Sequence, residues 1–133
     1  MQKLAQLDGV RLFDSLTLSQ KFELMRGLQI RYYSQEQMIV RQGETGSEFF
    51  IIVQGQVQCG KNSAGGFVPV RTLGKGAHFG EVALLNNVKR TMTVRALDEV
   101  RLLCIDKEAF MSVADCIRKG LKLDYERDRK TYI

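Results

Sequence analysis

Between Gly74 and Ala96 the chain reads GKGAHFGEVALLNNVKRTMTVRA, and these residue types suit one task, the capture of a phosphate. Gly74, Gly76 and Gly80 open a loop, Glu81 begins a short apolar run (VALL) that reads as one or two helical turns, and Asn86 and Asn87 end it. Arg90 then leads into a β-like stretch from Thr91 to Val94. A phosphate arriving here would meet backbone N–H groups at a helix N-terminus. It would also meet a guanidinium, whose planar fork gives two parallel hydrogen bonds to an anion. Glu81 would accept from a sugar hydroxyl. Gly80 and Ala83 are small where a ligand must approach the backbone closely. Each residue also has a plainer reading: a solvated strand-start Arg, a first-turn Glu favoured by the helix dipole, small residues in tight packing. It is their combination in one segment that points to an anion.

The elements that must position this segment are legible from periodicity. Near the N-terminus Ser19 is placed as the N-cap of a helix carrying Phe22, Leu24 and Met25 on its apolar side, with Gly27 at its end. From Gln29 to Ile105 the period changes to that of short strands, QIRYY, MIVRQ, EFFIIVQ, QVQCGK, FVPVRTL, TMTVRAL and EVRLLCI, separated by turns such as Gly43–Gly46 and Gln54–Gly55. Lys61 to Gly66 (KNSAGG) reads as a hairpin connection. Many short strands with regular turns imply a sandwich, roll or barrel. Asp106 then caps a helix that begins KEAFMSVADCIRKG; Phe110, Val113, Ile117 and Leu121 fall at helical spacing on one face, Tyr125 continues that stripe, and Gly120 interrupts it as a hinge between two helices.

Composition narrows the class. The chain has 133 residues, 44% of them hydrophobic, with a single proline, Pro69. That suits one domain with one core rather than a disordered segment. The apolar runs are too short to span a membrane, and the N-terminus lacks a signal-peptide pattern. Cys59, Cys104 and Cys116 are expected to be reduced, buried thiols of a cytoplasmic protein. The net charge of +5 is spread among acidic neighbours, as in DYERDRK, so nucleic acid is not an expected partner. One histidine, His78, is too few for a metal-dependent enzyme of the cupin kind, and is read as a packing residue. No Gly-rich ATP loop or other kinase catalytic signature occurs, so no catalytic residues are assigned and no metal or cofactor is expected.

Phe79, Gly80, Glu81, Ala83, Leu84, Arg90, Thr93 and Val94 stand in the register of the phosphate-binding cassette of the cyclic nucleotide-binding domain family, F-G-E-x-A-L-x, a loop, then P-R-x-A-T-V. RQGETGSEFFIIVQGQV also resembles the family's turns. The resemblance implies a mainly β fold with flanking helices (α+β): a jelly-roll-like β-roll, or double-stranded β-helix, with N-terminal helices and two C-terminal helices. It implies a single domain over 1–133, with N-terminal helices at 1–28, the roll at 29–106, the cassette at 79–94 and lid helices at 107–133. Gly80, Glu81, Val82, Ala83, Arg90, Thr91 and Met92 would hold phosphate and ribose. Two positions depart from the pattern: Lys89 replaces the proline before the arginine, and Met92 replaces a small residue and could crowd the pocket.

Base selection rests on Val70, Arg71 and Thr91. A threonine hydroxyl can accept from the exocyclic amine of guanine, which alanine cannot. VRTLGKG resembles a strand of cGMP-dependent protein kinases in which the arginine reads the Hoogsteen edge of guanine, whose O6 and N7 are both acceptors. Val70 would pack on the base, and the spacing from Phe110 to Tyr125 resembles that of the kinase domain with a capping tyrosine. The resemblance therefore implies a cGMP-binding regulatory domain, with cAMP weaker and a C-terminal kinase domain in the same chain as partner. Ligand-driven movement of the C-terminal helix would relieve kinase autoinhibition. A cAMP-binding module of the kinase regulatory-subunit or channel type is the alternative, and a domain that has lost its ligand is a further one.

Overall fold

The computed structural model describes residues 13–114. In chain order the elements are α1 (Leu18–Arg26), β1 (Leu28–Tyr33), β2 (Met38–Val40), β3 (Glu48–Gln54), β4 (Val57–Ser63), β5 (Gly66–Leu73), β6 (His78–Phe79), α2 (Glu81–Leu85), β7 (Thr93–Ala96), β8 (Val100–Asp106) and α3 (Lys107–Ser112). The strands form two four-stranded sheets, β1-β8-β3-β6 and β2-β7-β4-β5, and every strand pair is antiparallel. The expected mainly β roll with flanking helices is therefore the observed architecture.

In the first sheet β3 and β8 are buried on both faces, which explains why they read as nearly continuous apolar runs rather than alternating ones. Phe49, Ile51, Leu103 and Ile105 point to one side and pack with Leu24 of α1, Leu84 of α2 and Phe110 of α3. Phe50, Ile52, Leu102 and Cys104 point to the other side and meet Val57, Cys59, Val94 and Ala96 of the second sheet. Two core layers thus share one sheet, following the period-2 alternation of a strand. Burial pushes the thiols of Cys59 and Cys104 up to about 12 each, so both are protonated at neutral pH. Cys116 lies outside the described residues.

Most strand boundaries fall within two residues of the expected ones, and β3 coincides. The short β6 was not expected: two residues, His78 and Phe79, carry too little periodicity to register, and they become a strand only because Ile51 and Phe50 pair with them. Pro69 lies on β5, the edge of the second sheet, where a missing N–H is tolerated. The hairpin between β4 and β5 is tighter than expected, since the strands run on to Ser63 and resume at Gly66.

The helix ends show one correction. The N-cap of α1 is Thr17, not Ser19: the Thr17 hydroxyl accepts from the Gln20 N–H at 3.1 Å while the Gln20 side chain accepts from the Thr17 N–H at 2.9 Å. Gln three residues after Thr makes a reciprocal capping box, which Ser19 lacks. Gly27 is the C-cap as expected, and Asp106 caps α3 by accepting from Ala109 N–H at 2.8 Å. The regular run of α3 ends at Ser112, where β-branched Val113 takes φ −121° with its side chain in the core. Ile117, Gly120, Leu121 and Tyr125 lie outside the described residues. Among the described residues, no helix is long and apolar enough to cross a membrane.

The turn between β3 and β4 depends on Gly55, which has φ +89°. A Cβ there would stand 2.3 Å from the Glu99 carbonyl oxygen and 3.0 Å from Val100 Cα, both main-chain atoms. Gly55→Ala is expected to destabilise the chain by about 2–3 kcal/mol, through left-handed strain and displacement of the start of β8. Urea unfolding checks this, and a loss below about 0.5 kcal/mol would contradict it.

Candidate functional site

Arg90 is the centre of the site, and two separate devices place it. Its main chain is laced to the loop after β2: Gly43 N–H donates to Arg90 O at 2.9 Å, and Arg90 N–H donates to Glu44 O at 2.8 Å. Lys89 forms an isolated β-bridge with Thr45 beside this pair. The position that lacks the family's proline is therefore used for strand-like pairing. The Arg90 side chain then runs inward and is only 4% exposed. Nη1 donates to Gly80 O at 2.8 Å and Nη2 to Glu48 O at 2.6 Å. Its Cζ lies 5.7 Å from the centroid of the Phe50 ring, which itself stacks on Phe79.

Burial lowers the pKa of Arg90, and the carboxylates of Glu48, Glu81 and Glu44 act in the opposite direction. A guanidinium stays charged in such surroundings, so the fold holds a buried cation whose fork is only partly used. Five N–H donors are available, and the two carbonyls leave others to donate.

Two glycines make room for it. A Cβ on Gly80 would lie 2.7 Å from Arg90 Nη1 and 3.1 Å from Glu48 O. A Cβ on Gly46 would lie 2.7 Å from the Ala83 methyl carbon and 3.2 Å from Arg90 Cζ. Gly80 is also left-handed, at φ +100°, so the chain turns sharply from β6 into α2 with no side-chain cap on the first turn.

Glu81 opens α2 and is 3% exposed. Its Oε2 stands 3.5 Å from Nδ1 of His78, and both atoms are buried. The His78 ring also packs against Phe49, with centroids 5.5 Å apart, so the packing role expected of it holds. Ala83 is buried and Val82 half-buried in the same short helix. Asn86 ends that helix and Asn87 takes φ +51°, the break expected at these two residues. Thr91 is exposed beside Arg90, whereas Met92 is 5% exposed and packs in the layer between the sheets. Thr93 is buried, and its hydroxyl accepts from Gln42 N–H at 2.9 Å, tying the cassette to the chain after β2.

Val70 and Arg71, which the resemblance implies would meet the base, lie further away. Arg71 on β5 pairs with Cys59 on β4, which pairs with Val94 on β7. Arg71 is thus level with the cassette strand, two strand spacings or roughly 10 Å off, and half-buried. Val70 is 46% exposed and is the residue that the β4–β5 register skips. Tyr125 lies outside the described residues. Sequence reasoning missed the parts played by Gly46 and Glu48. GETGSEFF read as a turn and a strand start, and neither reading tells that Gly46 borders a guanidinium or that a carbonyl of β3 receives it.

The model of the cyclic nucleotide-binding domain matches residues 30–115. The chain belongs to that family. Among curated proteins it is 43% identical, over 99 residues, to a cAMP-dependent protein kinase regulatory subunit of Mycosarcoma maydis, which covers 72% of this chain and 19% of the relative. It is 38% identical, over 128 residues, to a cGMP-dependent protein kinase of Eimeria tenella, covering 96% of this chain and 12% of the relative. The chain therefore spans about a fifth or less of the length of these relatives. Among solved structures, the regulatory domain of Toxoplasma gondii PKA with cAMP superposes with a TM-score of 0.85 at 23% identity, covering 95% of this chain and 49% of that one, which establishes the shared fold.

The carbonyl clamp has a consequence for folding. Arg90→Lys keeps the charge but cannot reach Gly80 O and Glu48 O together, so the ligand-free chain is expected to lose about 1–3 kcal/mol. An unchanged urea midpoint would show that the clamp contributes nothing to stability.

Proposed function

We propose that this chain is a cyclic nucleotide-binding regulatory module that prefers cGMP to cAMP and belongs to a cGMP-dependent protein kinase. The observation that carries the ligand class is the convergence of a buried, partly committed Arg90 and a buried Glu81 on the left-handed turn at Gly80. A cyclic phosphate would take the remaining guanidinium N–H donors together with main-chain N–H groups of Val82 and Ala83. Glu81 would accept from the ribose 2′-hydroxyl. Thr91 and Met92 follow Arg90. With the Met92 side chain packed in the core, its contact with the ligand would come from the main chain.

The cGMP preference is supported by Thr91 and Arg71. Thr91 is exposed and its hydroxyl would accept from the guanine amine, and half-buried Arg71 is level with the cassette strand. Val70 would lie against the base and Tyr125 would cover it. Closure over the base only when ligand is bound biases a two-state equilibrium, because the ligand binds the closed state more tightly. In this reading closure is what releases a kinase domain lying C-terminal in the same protein. A cAMP-binding module is the second reading, and the 43% identity to a cAMP-dependent kinase regulatory subunit favours it.

Calorimetric titration of the chain with cGMP and then cAMP separates the two. Tighter cGMP binding is expected, with Thr91→Ala reducing the preference about tenfold, the equivalent of one good hydrogen bond. Arg90→Lys is expected to weaken both nucleotides by about 100-fold. Equal affinities would remove the cGMP assignment, and no heat with either nucleotide would remove the ligand-binding reading.

A further inference from the structure

Glu48 contributes two groups to the neighbourhood of Arg90, and they act differently. Its main-chain carbonyl receives Arg90 Nη2 at 2.6 Å. Its carboxylate is held elsewhere: Arg31 Nη1 donates to Oε1 at 2.6 Å, and Arg31 Nη2 lies 2.6 Å from Oε2. This is a two-pronged fork, the geometry in which an arginine fixes a carboxylate most firmly. Arg31 comes from β1 and Glu48 from β3, separated in the sheet by β8. Gln29 steadies the guanidinium by accepting from Nη2 at 3.0 Å.

The chemistry of that arrangement is specific to an anion site. A carboxylate on the residue whose carbonyl already touches Arg90 is a competing anion, and Glu48 is the foremost carboxylate stabilising the charge of Arg90. A free Glu48 side chain could swing toward Arg90, occupy its unused N–H donors and repel an incoming phosphate. The Arg31 fork holds the carboxylate back from those donors and offsets its charge. We propose that Arg31 is a positioning residue for phosphate binding: it sequesters the Glu48 carboxylate so that Arg90 stays open to the ligand. This rests on the reading of Arg90 as the phosphate-binding residue.

The proposal predicts a rescue that a purely structural ion pair would not show. Arg31→Met should weaken cyclic nucleotide binding by about fivefold or more, the scale of a partly exposed charge interaction. Glu48→Gln removes the competing charge and keeps the main-chain carbonyl, so adding Arg31→Met to it should cost less than about twofold. The double variant Arg31→Met/Glu48→Gln should recover most of the lost affinity. All four chains are titrated with cGMP and cAMP in calorimetry, and their ligand-free urea midpoints are measured alongside. Recovery of affinity in the double variant supports the proposal even if both arginine-deleted chains are less stable. Unchanged affinity in Arg31→Met, or equal weakening in the single and double variants, overturns it. If the unsubstituted chain binds neither nucleotide, the reading of Arg90 itself fails, a result distinct from a failed rescue.

Discussion

Putting a guanidinium into the interior of a β-roll is the constraint around which the rest of this structure is arranged. A buried charge without partners is among the costliest things a fold can contain. Arg90 is almost fully buried, yet no carboxylate accepts its two recorded hydrogen bonds; two main-chain carbonyls do. Carbonyl dipoles lower the cost of burial without cancelling the charge, and an uncancelled charge is what can still attract an anion. A direct pair with Glu48 or Glu81 would have been more ordinary and would have left nothing for a phosphate.

That solution dictates local sequence at a distance. The carbonyls come from the start of β3 and from the turn before α2, so the strand and the cassette have to meet at one point. Gly46 and Gly80 are required where Arg90 passes, because a Cβ at either would press on the guanidinium. Phe50 and Phe79 stack beneath it, and their strands pair at that very position. Phe50 alternates with Phe49, which faces the helices. The sheet that carries the site is thereby also the wall on which α1 and α3 pack, and the site and the helices share a single rigid element.

Local patterning explains why so much of this could be read from the residues in order. Strands such as EFFIIVQ and VRLLCI declare themselves through apolar and β-branched content, and Asp106 is a strong cap signal because the helix begins immediately after it. The cassette is legible because its working residues are contiguous. What escaped was whatever depends on a partner far away in sequence. β6 exists through pairing with β3, and Thr17 outranks Ser19 only because Gln20 reaches back to it. Gly46 and Glu48 gain their roles from a side chain more than forty positions on. The sequestration of Glu48 by Arg31 belongs to the same kind, since neither residue has unusual neighbours in the chain.

The two halves of the ligand reading also differ in kind. In the proposed reading phosphate and ribose would be met by the buried Arg90 and Glu81, which are held by the core and cannot drift without damage to the fold. The base would be read by Val70 and Arg71 of an edge strand and by exposed Thr91, none of which belongs to either core layer. A domain made this way can retain the feature shared by all cyclic nucleotides while base preference changes through a few surface substitutions. Close relatives named for cAMP and for cGMP are then to be expected side by side, as found. Overall identity therefore says little about which base is chosen, and the decision falls to the few side chains that would touch it.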